Sequence, residues 1–150
     1  MAKLKLGNDP LTAERPPLLT VRFLVAALAI ALGIAWILYY YFGAREGVSG
    51  QHHGIGFIRD LKDWNYLIGF LLLFAGLIIA AHPATPLGRG RGVVVGMLAC
   101  FILGLAWICV YYIWSNDLGA IWVFNDLGQK NLLVGIGFMA VGFAYATHWE

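Results

Sequence analysis

The stretch GIAWILYYY, residues 33–41, returns later in the chain as GLAWICVYY, residues 104–112. The two stretches agree at the glycine, the alanine, the tryptophan, the isoleucine and the last two tyrosines, 71 positions apart. Each stretch closes a long apolar run. The fold therefore depends on what these runs are and on how far the repeat extends around them.

The composition places the apolar runs in a bilayer. Of the 150 residues, 61% are hydrophobic and only 12% are charged, and the mean hydropathy is +0.76. A soluble domain needs more polar surface than this to cover its core. The sequence therefore predicts an integral membrane protein.

Four apolar runs approach or exceed the roughly 20 residues that a helix needs to cross about 30 Å of hydrocarbon. They are residues 18–42, 64–81, 93–114 and 131–147. The strands of a membrane barrel would alternate apolar and polar residues, and these runs do not. The first run is too long for the apolar region of a signal peptide, so we interpret it as a retained anchor. We predict an all-α protein with four transmembrane helices.

The repeat continues through the loop and helix that follow each quoted stretch. FIRDLKDWN at residues 57–65 aligns with VFNDLGQKN at 123–131, and this offset of 66 persists to the end of the chain. Equivalent residues are Asn65 and Asn131, Gly69 and Gly135, Gly76 and Gly142, and His82 and His148. The repeating unit is therefore a helix, a loop and a second helix.

A unit with two crossings ends on the side where it began, so both copies have the same orientation. This predicts two tandem helical hairpins related by a pseudo-two-fold axis along the membrane normal. We assign residues 18–82 to the first hairpin, 83–92 to a linker and 93–150 to the second hairpin, after a tail at 1–17.

The basic residues predict the orientation in the membrane. One side carries Lys3, Lys5, Arg15, Arg22, Arg89 and Arg91, and the other carries Arg45, Arg59, Lys62 and Lys130. Lysine and arginine are enriched on the cytoplasmic side of short loops. We expect a multi-pass protein of the bacterial cytoplasmic membrane with both termini in the cytoplasm.

Small residues mark the faces where helices approach closely in lipid. Gly69 and Gly76 are seven positions apart, as are Gly135 and Gly142, so each pair lies on one stripe of its helix. These glycines either pack the bundle or also receive a helix from a partner protein. Trp36 and Trp107 each follow a glycine by three positions, and we interpret them as packing anchors.

Residues that carry out chemistry are scarce. Arg22 is the ionisable residue within the predicted spans, close to one end, which disfavours a proton-coupled transporter. His52 and His53 are adjacent, but a metal site needs further ligands, so a solvated loop is the favoured interpretation. We predict no enzymatic activity, no metal site, no cofactor and no binding of nucleic acid.

The second apolar run resembles the second span of the actinobacterial cell division protein family CrgA. DWNYLIGFLLLFAGLIIAAH at residues 63–82 carries the Trp-Asn-Tyr opening of that family, followed by Phe70 and Gly76. The family's finish is clearer in GFAYATHWE at 142–150, and GIAWILYYYF is similar to the end of the family's first span. The second copy departs from the opening, with KNL at 130–132, and the N-terminal tail is shorter than is usual in the family.

The resemblance implies a non-catalytic scaffold that recruits or restrains septal peptidoglycan synthesis and communicates with the ring protein FtsZ. Its partners would be membrane proteins of the septum and the bilayer itself. The alternatives are an accessory subunit of a larger membrane complex, such as a respiratory enzyme, and a small transporter or channel. The candidate residues for helix packing or partner binding are Gly33, Trp36, Trp64, Asn65, Tyr66, Gly69, Phe70, Gly76, Gly104, Trp107, Asn131, Gly135 and Gly142.

Overall fold

A computed structural model describes residues 19–44, 55–114 and 122–148, and all regular structure in these ranges is helical. The helices are α1 (Val21–Tyr39), α2 (Gly56–Asp60), α3 (Trp64–Ala80), α4 (Arg91–Ile113), α5 (Trp122–Leu127) and α6 (Asn131–Ala146). A π-helical turn, Tyr40–Ala44, extends α1, and a 3-10 turn, Gly128–Lys130, joins α5 to α6. The tail at 1–17 and the loop histidines His52 and His53 lie outside the described residues.

The four predicted apolar runs correspond to α1, α3, α4 and α6. Among the described residues, three helical segments are long and apolar enough to cross a membrane: Val21–Ala44, Arg91–Ile113 and Val123–Ala146. Helix α3 has 17 residues, which at 1.5 Å per residue gives a length of about 26 Å. The prediction of an all-α protein with helices long and apolar enough for a membrane is confirmed in the described residues.

Helix α1 packs along α3, and α4 packs along α6, so each long helix pairs with the next long helix in the chain. The two pairs meet through α3 and α6. Helices α1 and α4 therefore flank the assembly. Their outer faces carry exposed large apolar side chains, including Leu28 and Leu32 on α1 and Ile102 and Leu105 on α4. Such faces suit a hydrocarbon environment, where apolar exposure has no cost.

Two clusters of buried side chains hold the helices together. The larger cluster lies where α3 and α6 begin, and it combines Tyr40, Tyr66 and Phe70 with Val134 and Phe138. The smaller cluster, at the opposite end of the bundle, includes Val93, Cys100 and Tyr145. Because both clusters draw on both halves of the sequence, the two halves share their core.

The connection between the halves is compact. Thr85 is fully buried, and its hydroxyl hydrogen bonds to the carbonyl oxygens of Ala80 and His82. The same hydroxyl accepts a hydrogen bond from the backbone N–H of Gly88 at 3.1 Å. These bonds satisfy backbone groups at the end of α3, where a helix leaves carbonyl oxygens without intrahelical partners. The chain is thereby turned back towards α4.

Candidate helix-helix interface

The first hairpin closes through a contact between two glycines. A Cβ atom added to Gly33 would lie 2.6 Å from the carbonyl oxygen of Gly69 and 2.8 Å from the backbone nitrogen of Leu73. Real Cβ atoms do not approach backbone atoms this closely, so only glycine allows α1 and α3 to pack at this spacing. The backbones themselves form the contact.

The second hairpin closes in the same way. A Cβ atom on Gly104 would lie 2.7 Å from the carbonyl oxygen of Gly135, and one on Gly135 would lie 3.1 Å from the carbonyl oxygen of Gly104. Gly33 and Gly104 are the glycines of the opening repeat, and Gly69 and Gly135 are equivalent at the offset of 66. Equivalent residues thus make equivalent contacts.

Gly76 and Gly142 differ in their surroundings. A Cβ atom on Gly76 would lie 2.8 Å from the carbonyl oxygen of Ala26, so this glycine also faces the backbone of α1. A Cβ atom on Gly142 would lie 3.3 Å from the ring of Phe101 instead. At this end, α6 therefore packs against a side chain of α4, whereas α3 packs against the backbone of α1.

Two buried asparagines anchor the segments that precede α3 and α6. The side-chain N–H of Asn65 donates to the carbonyl oxygens of Ile58 at 2.6 Å and Lys62 at 2.8 Å. The side-chain N–H of Asn131 donates to those of Phe124 and Gly128, both at 2.8 Å. Every partner is displaced by 66 positions, so this motif is also duplicated.

The two motifs share an unusual backbone conformation as well. Lys62 has a φ of +45° and the equivalent Gly128 has a φ of +48°. Glycine adopts this left-handed conformation at no steric cost, whereas a residue with a Cβ adopts it only at a cost. Sequence analysis aligned the asparagines but did not foresee their bonds. The signal was the shared Asp-Leu-x-x-x-Asn pattern at residues 60–65 and 126–131.

The contacts that join the first hairpin to the second are made by residues that are not equivalent in the two copies. The hydroxyl of Tyr66 donates to the Asp126 carboxylate at 2.7 Å. The Phe74 ring packs on Gly137, where a Cβ atom would lie 2.6 Å from the Cζ of Phe74, and it meets the Phe138 ring edge to face at 5.0 Å. Sequence analysis did not select Asp126, Phe74 or Gly137. Gly137 lies outside the spacing of seven that drew attention to its neighbours.

The two repeated tryptophans lie beside the larger cluster. The ring of Trp107 contacts Phe70 of the other hairpin edge to face at 5.4 Å and stacks on Phe124 at 4.6 Å. Trp36 packs against the same cluster from α1. Neither indole N–H has a hydrogen-bond partner among the described residues, although both are buried. Their surroundings favour packing as the role of these rings.

The structure places almost all the candidate residues inside the assembly. The six candidate glycines, both asparagines, Tyr66 and Phe70 are buried, and Trp36 and Trp107 are half-buried. Trp64 is different, with 60% of its surface exposed beside the start of α3. The candidate glycines are thus covered by the protein's own helices, whereas Trp64 is accessible.

Polar chemistry is sparse in the described ranges. No three His, Cys, Asp or Glu side chains within them are grouped to hold a metal ion. Cys100 is buried and Cys109 exposed on α4. At the end of the bundle near the linker, the Arg22 guanidinium contacts the His82 ring at 2.6 Å and 3.0 Å. The prediction that the chain lacks a metal or cofactor site stays a prediction.

Comparison with known proteins gives one family, matched twice. The family model described as cell division protein CrgA matches residues 8–82 and again residues 86–150. The cell division protein CrgA of Streptomyces avermitilis is 41% identical over 64 residues, which is 43% of this chain and 71% of that relative. The aligned region is thus less than half of this chain but most of the length of the relative. No solved structure matches the chain.

Proposed function

The chain belongs to the CrgA family of cell division proteins, and we propose that it is a non-catalytic membrane scaffold that regulates septation. The observation that carries this proposal is the double family match, because each half of the chain corresponds to one family unit. The scaffold would recruit or restrain septal peptidoglycan synthesis through contacts between membrane helices.

In this proposal the chain is a covalent pair of family hairpins, at residues 18–82 and 93–150, joined by a linker at 83–92. A pseudo-two-fold axis along the membrane normal relates the two hairpins. Support comes from the duplicated glycine contacts and from the duplicated asparagine motif. Two separate sets of contacts that recur between equivalent residues favour duplication of a whole hairpin.

Helices α1, α3, α4 and α6 are the four proposed membrane spans. Helices α3 and α6, with 17 and 16 residues, are the shortest of the four, and lengths of about 24–26 Å cross the hydrocarbon with little tilt. In this proposal, both termini and the 83–92 linker lie in the cytoplasm, and the distribution of the basic residues supports this orientation. The asparagine motifs, Trp64 and Asp126 lie on the outer side of the membrane in this topology.

Fusion changes the energetics of hairpin pairing. Two separate hairpins pair at a rate and extent that depend on their concentration, whereas a linked pair meets at an effective concentration set by the linker. The ten-residue linker at 83–92 is also turned back by the Thr85 bonds. Pairing in this protein is therefore expected to be independent of expression level.

The flanking helices are the surfaces we propose for septal membrane partners. The outer faces of α1 and α4 carry large exposed apolar side chains and small ones such as Ala27, Ala31 and Ala106. The tail at 1–17 precedes α1 on the proposed cytoplasmic side and would provide any contact with FtsZ.

The localisation of a tagged protein in growing native cells tests the septal function. We expect a fluorescent protein fused to the N-terminus to concentrate at mid-cell and to disperse when the FtsZ ring is depleted. A signal spread evenly over the envelope would contradict the proposal. Stoichiometric co-purification with a respiratory or other large membrane complex would instead support an accessory-subunit role.

The outer face of α1 provides a matched comparison for this experiment. Leu28→Trp changes an exposed residue on the proposed partner surface, and Ile78→Trp changes an exposed residue on α3. If septal partners bind α1, the variant at Leu28 loses septal enrichment and the variant at Ile78 keeps it. Helical content measured by circular dichroism verifies that both variants remain folded.

A further inference from the structure

A groove of about 330 Å³ runs along the surface where α3 and α6 meet. Its wall from α3 extends from Trp64 through Leu67 and Leu71 to Phe74, and its wall from α6 includes Leu133 and Val134. The exposed atoms of the lining are almost entirely apolar. The groove is open to the surroundings along Leu71 and Leu133, which are both exposed.

The groove has the depth of one leaflet of a bilayer. Trp64 and Phe74 are ten residues apart on one helix, so the lining spans about 15 Å along the axis, which is half of the roughly 30 Å of membrane hydrocarbon. At its inner end, Phe74 packs on Gly137 and Phe138 of α6. A partner transmembrane helix would require a groove that continues across both leaflets.

A cation lies at the open end of the groove. The Lys130 ammonium group is 5.2 Å from the centre of the Trp64 ring, which itself lines the groove. Its Nζ is 3.9 Å from an Asp63 carboxylate oxygen, and the Lys130 side chain is partly exposed. A lysine carries three N–H donors, so this group has donors for a second acceptor.

These features match the chemistry of a phospholipid. We propose that the groove binds one acyl chain of a phospholipid and that Lys130 binds its phosphate. The apolar lining accommodates the acyl chain, and the Lys130 cation beside Trp64 is complementary to the phosphate charge. Trp64 joins the two parts, because its ring contacts the chain on one side and the Lys130 cation on the other. This inference goes beyond the septal function and does not depend on it.

The site arises where the two halves of the sequence have diverged. At the offset of 66, Trp64 is equivalent to Lys130 and Phe74 is equivalent to Ala140. Trp64 and Lys130, which meet at one end of the groove, therefore come from equivalent positions of the two copies, and Ala140 lacks the ring that would be needed to form a second inner wall. We expect one bound phospholipid per chain.

Native mass spectrometry of the delipidated full chain in mild detergent tests the proposal. The probes are palmitoyl-oleoyl phosphatidylglycerol, which is anionic, and the diacylglycerol with the same acyl chains. We expect saturable binding of one phospholipid. Lys130→Gln weakens phospholipid binding about fivefold, the effect of removing one basic contact near a membrane surface. The same change leaves diacylglycerol binding unaltered, because diacylglycerol has no phosphate.

A pair of tryptophan substitutions tests the location. Leu133→Trp fills the groove at a residue that is 57% exposed, and Leu105→Trp makes the same change on the outer face of α4, where the residue is 60% exposed. We expect Leu133→Trp to abolish binding of both lipids and Leu105→Trp to bind them like the native chain. Circular dichroism checks that both variants keep their helical content.

Three results would overturn the proposal. The first is binding that continues to rise without saturation at one lipid. The second is an equal loss of diacylglycerol binding and phospholipid binding in Lys130→Gln. This result can be read whether or not Leu133→Trp folds. The third is a photo-crosslinker at Leu71 that captures a membrane helix of another protein instead of lipid, which would assign the groove to helix docking.

Discussion

At the scale of single residues, the duplicated asparagine motif contains one position where the two copies differ in strain. Lys62 and Gly128 have nearly the same left-handed φ, but only Lys62 has a Cβ atom. The left-handed conformation costs a residue with a Cβ roughly 1–2 kcal/mol. A Cβ atom on Gly128 would have no neighbouring atom within 4 Å, so its cost there would be conformational alone.

We expect Gly128→Ala to lower the free energy of unfolding by about 1 kcal/mol, because alanine must adopt the left-handed conformation. Lys62→Gly should raise stability, or leave it unchanged, because relief of the strain is partly offset by the greater freedom of glycine in the unfolded chain. Unfolding in detergent by added denaturant measures both. A marked loss of stability in Lys62→Gly would mean that the lysine side chain makes a stabilising contact.

The asparagines themselves allow a sharper test. Asn65→Leu removes two hydrogen bonds to backbone carbonyl oxygens, one buried and one partly buried, and should cost about 2–3 kcal/mol. Asn65→Asp keeps the shape of the side chain but loses its N–H donors. An ionised carboxylate turns acceptors towards both carbonyl oxygens, and a protonated one can donate to only one of them. The loss of stability should therefore be larger than in Asn65→Leu. Asn131→Leu should match Asn65→Leu within about 1 kcal/mol, since the geometry is duplicated. If aspartate were tolerated better than leucine, the side-chain donor would have been assigned wrongly.

The residue scale also shows where the sequence was informative. The shared Asn65 and Asn131 were visible from alignment of the chain with itself. Their hydrogen bonds were not, because the bonds depend on the left-handed turn at Lys62 and Gly128, and lysine is a poor indicator of such a turn. Tyr66 was selected as an interface residue, but its partner Asp126 lies 60 positions away and shares no local pattern with it.

At the scale of the helices, apolar length was sufficient to predict α1, α3, α4 and α6. Helices α2 and α5 were not predicted, because their five and six residues are too short to show a helical period. The spacing of small residues identified the glycines at the hairpin contacts. It did not indicate which glycines meet backbone and which meet a ring, since that depends on the local distance between two helices.

The difference between these glycines predicts different sensitivities. Gly33→Ala places a Cβ atom 2.6 Å from a backbone oxygen, which cannot move aside, whereas Gly142→Ala places one 3.3 Å from the Phe101 ring, which can rotate. We expect a cost of about 2–3 kcal/mol for Gly33→Ala and less than about 1 kcal/mol for Gly142→Ala. Unfolding of the two variants in the same detergent measures this difference. Equal costs would contradict the backbone contact at Gly33.

At the scale of the whole molecule, the repeat predicted that two hairpins pair but not which helices meet. Both copies carry the same glycine stripe, so the sequence did not distinguish a junction through α3 and α6 from one through α1 and α4. The structure uses Phe74 and Gly137, which are not equivalent in the two copies. The junction between α3 and α6 therefore depends on positions at which the two copies have diverged, so alignment of the copies did not identify it.

This divergence makes the proposed pseudo-two-fold axis testable. Under that symmetry the counterpart of the contact between Phe74 and Gly137 pairs Ala140 with Leu71, at the offset of 66. On both sides of the axis, α3 would supply the large residue and α6 the small one, so the equivalent positions of the two copies differ in size. The double variant Phe74→Ala with Gly137→Leu would give both sides the same alanine and leucine pair.

We expect Gly137→Leu alone to separate the hairpins, because its Cβ atom would lie 2.6 Å from the Cζ of Phe74. Phe74→Ala alone leaves a cavity, with a cost of about 3–5 kcal/mol. The double variant should cost clearly less than the sum of the two, since each change relieves the other. Cysteine crosslinking between α3 and α6, with a pair between α1 and α3 as the control, follows hairpin separation independently of hairpin folding. Additive costs would argue against the axis, because leucine and alanine would then fit one side of the junction and not its counterpart.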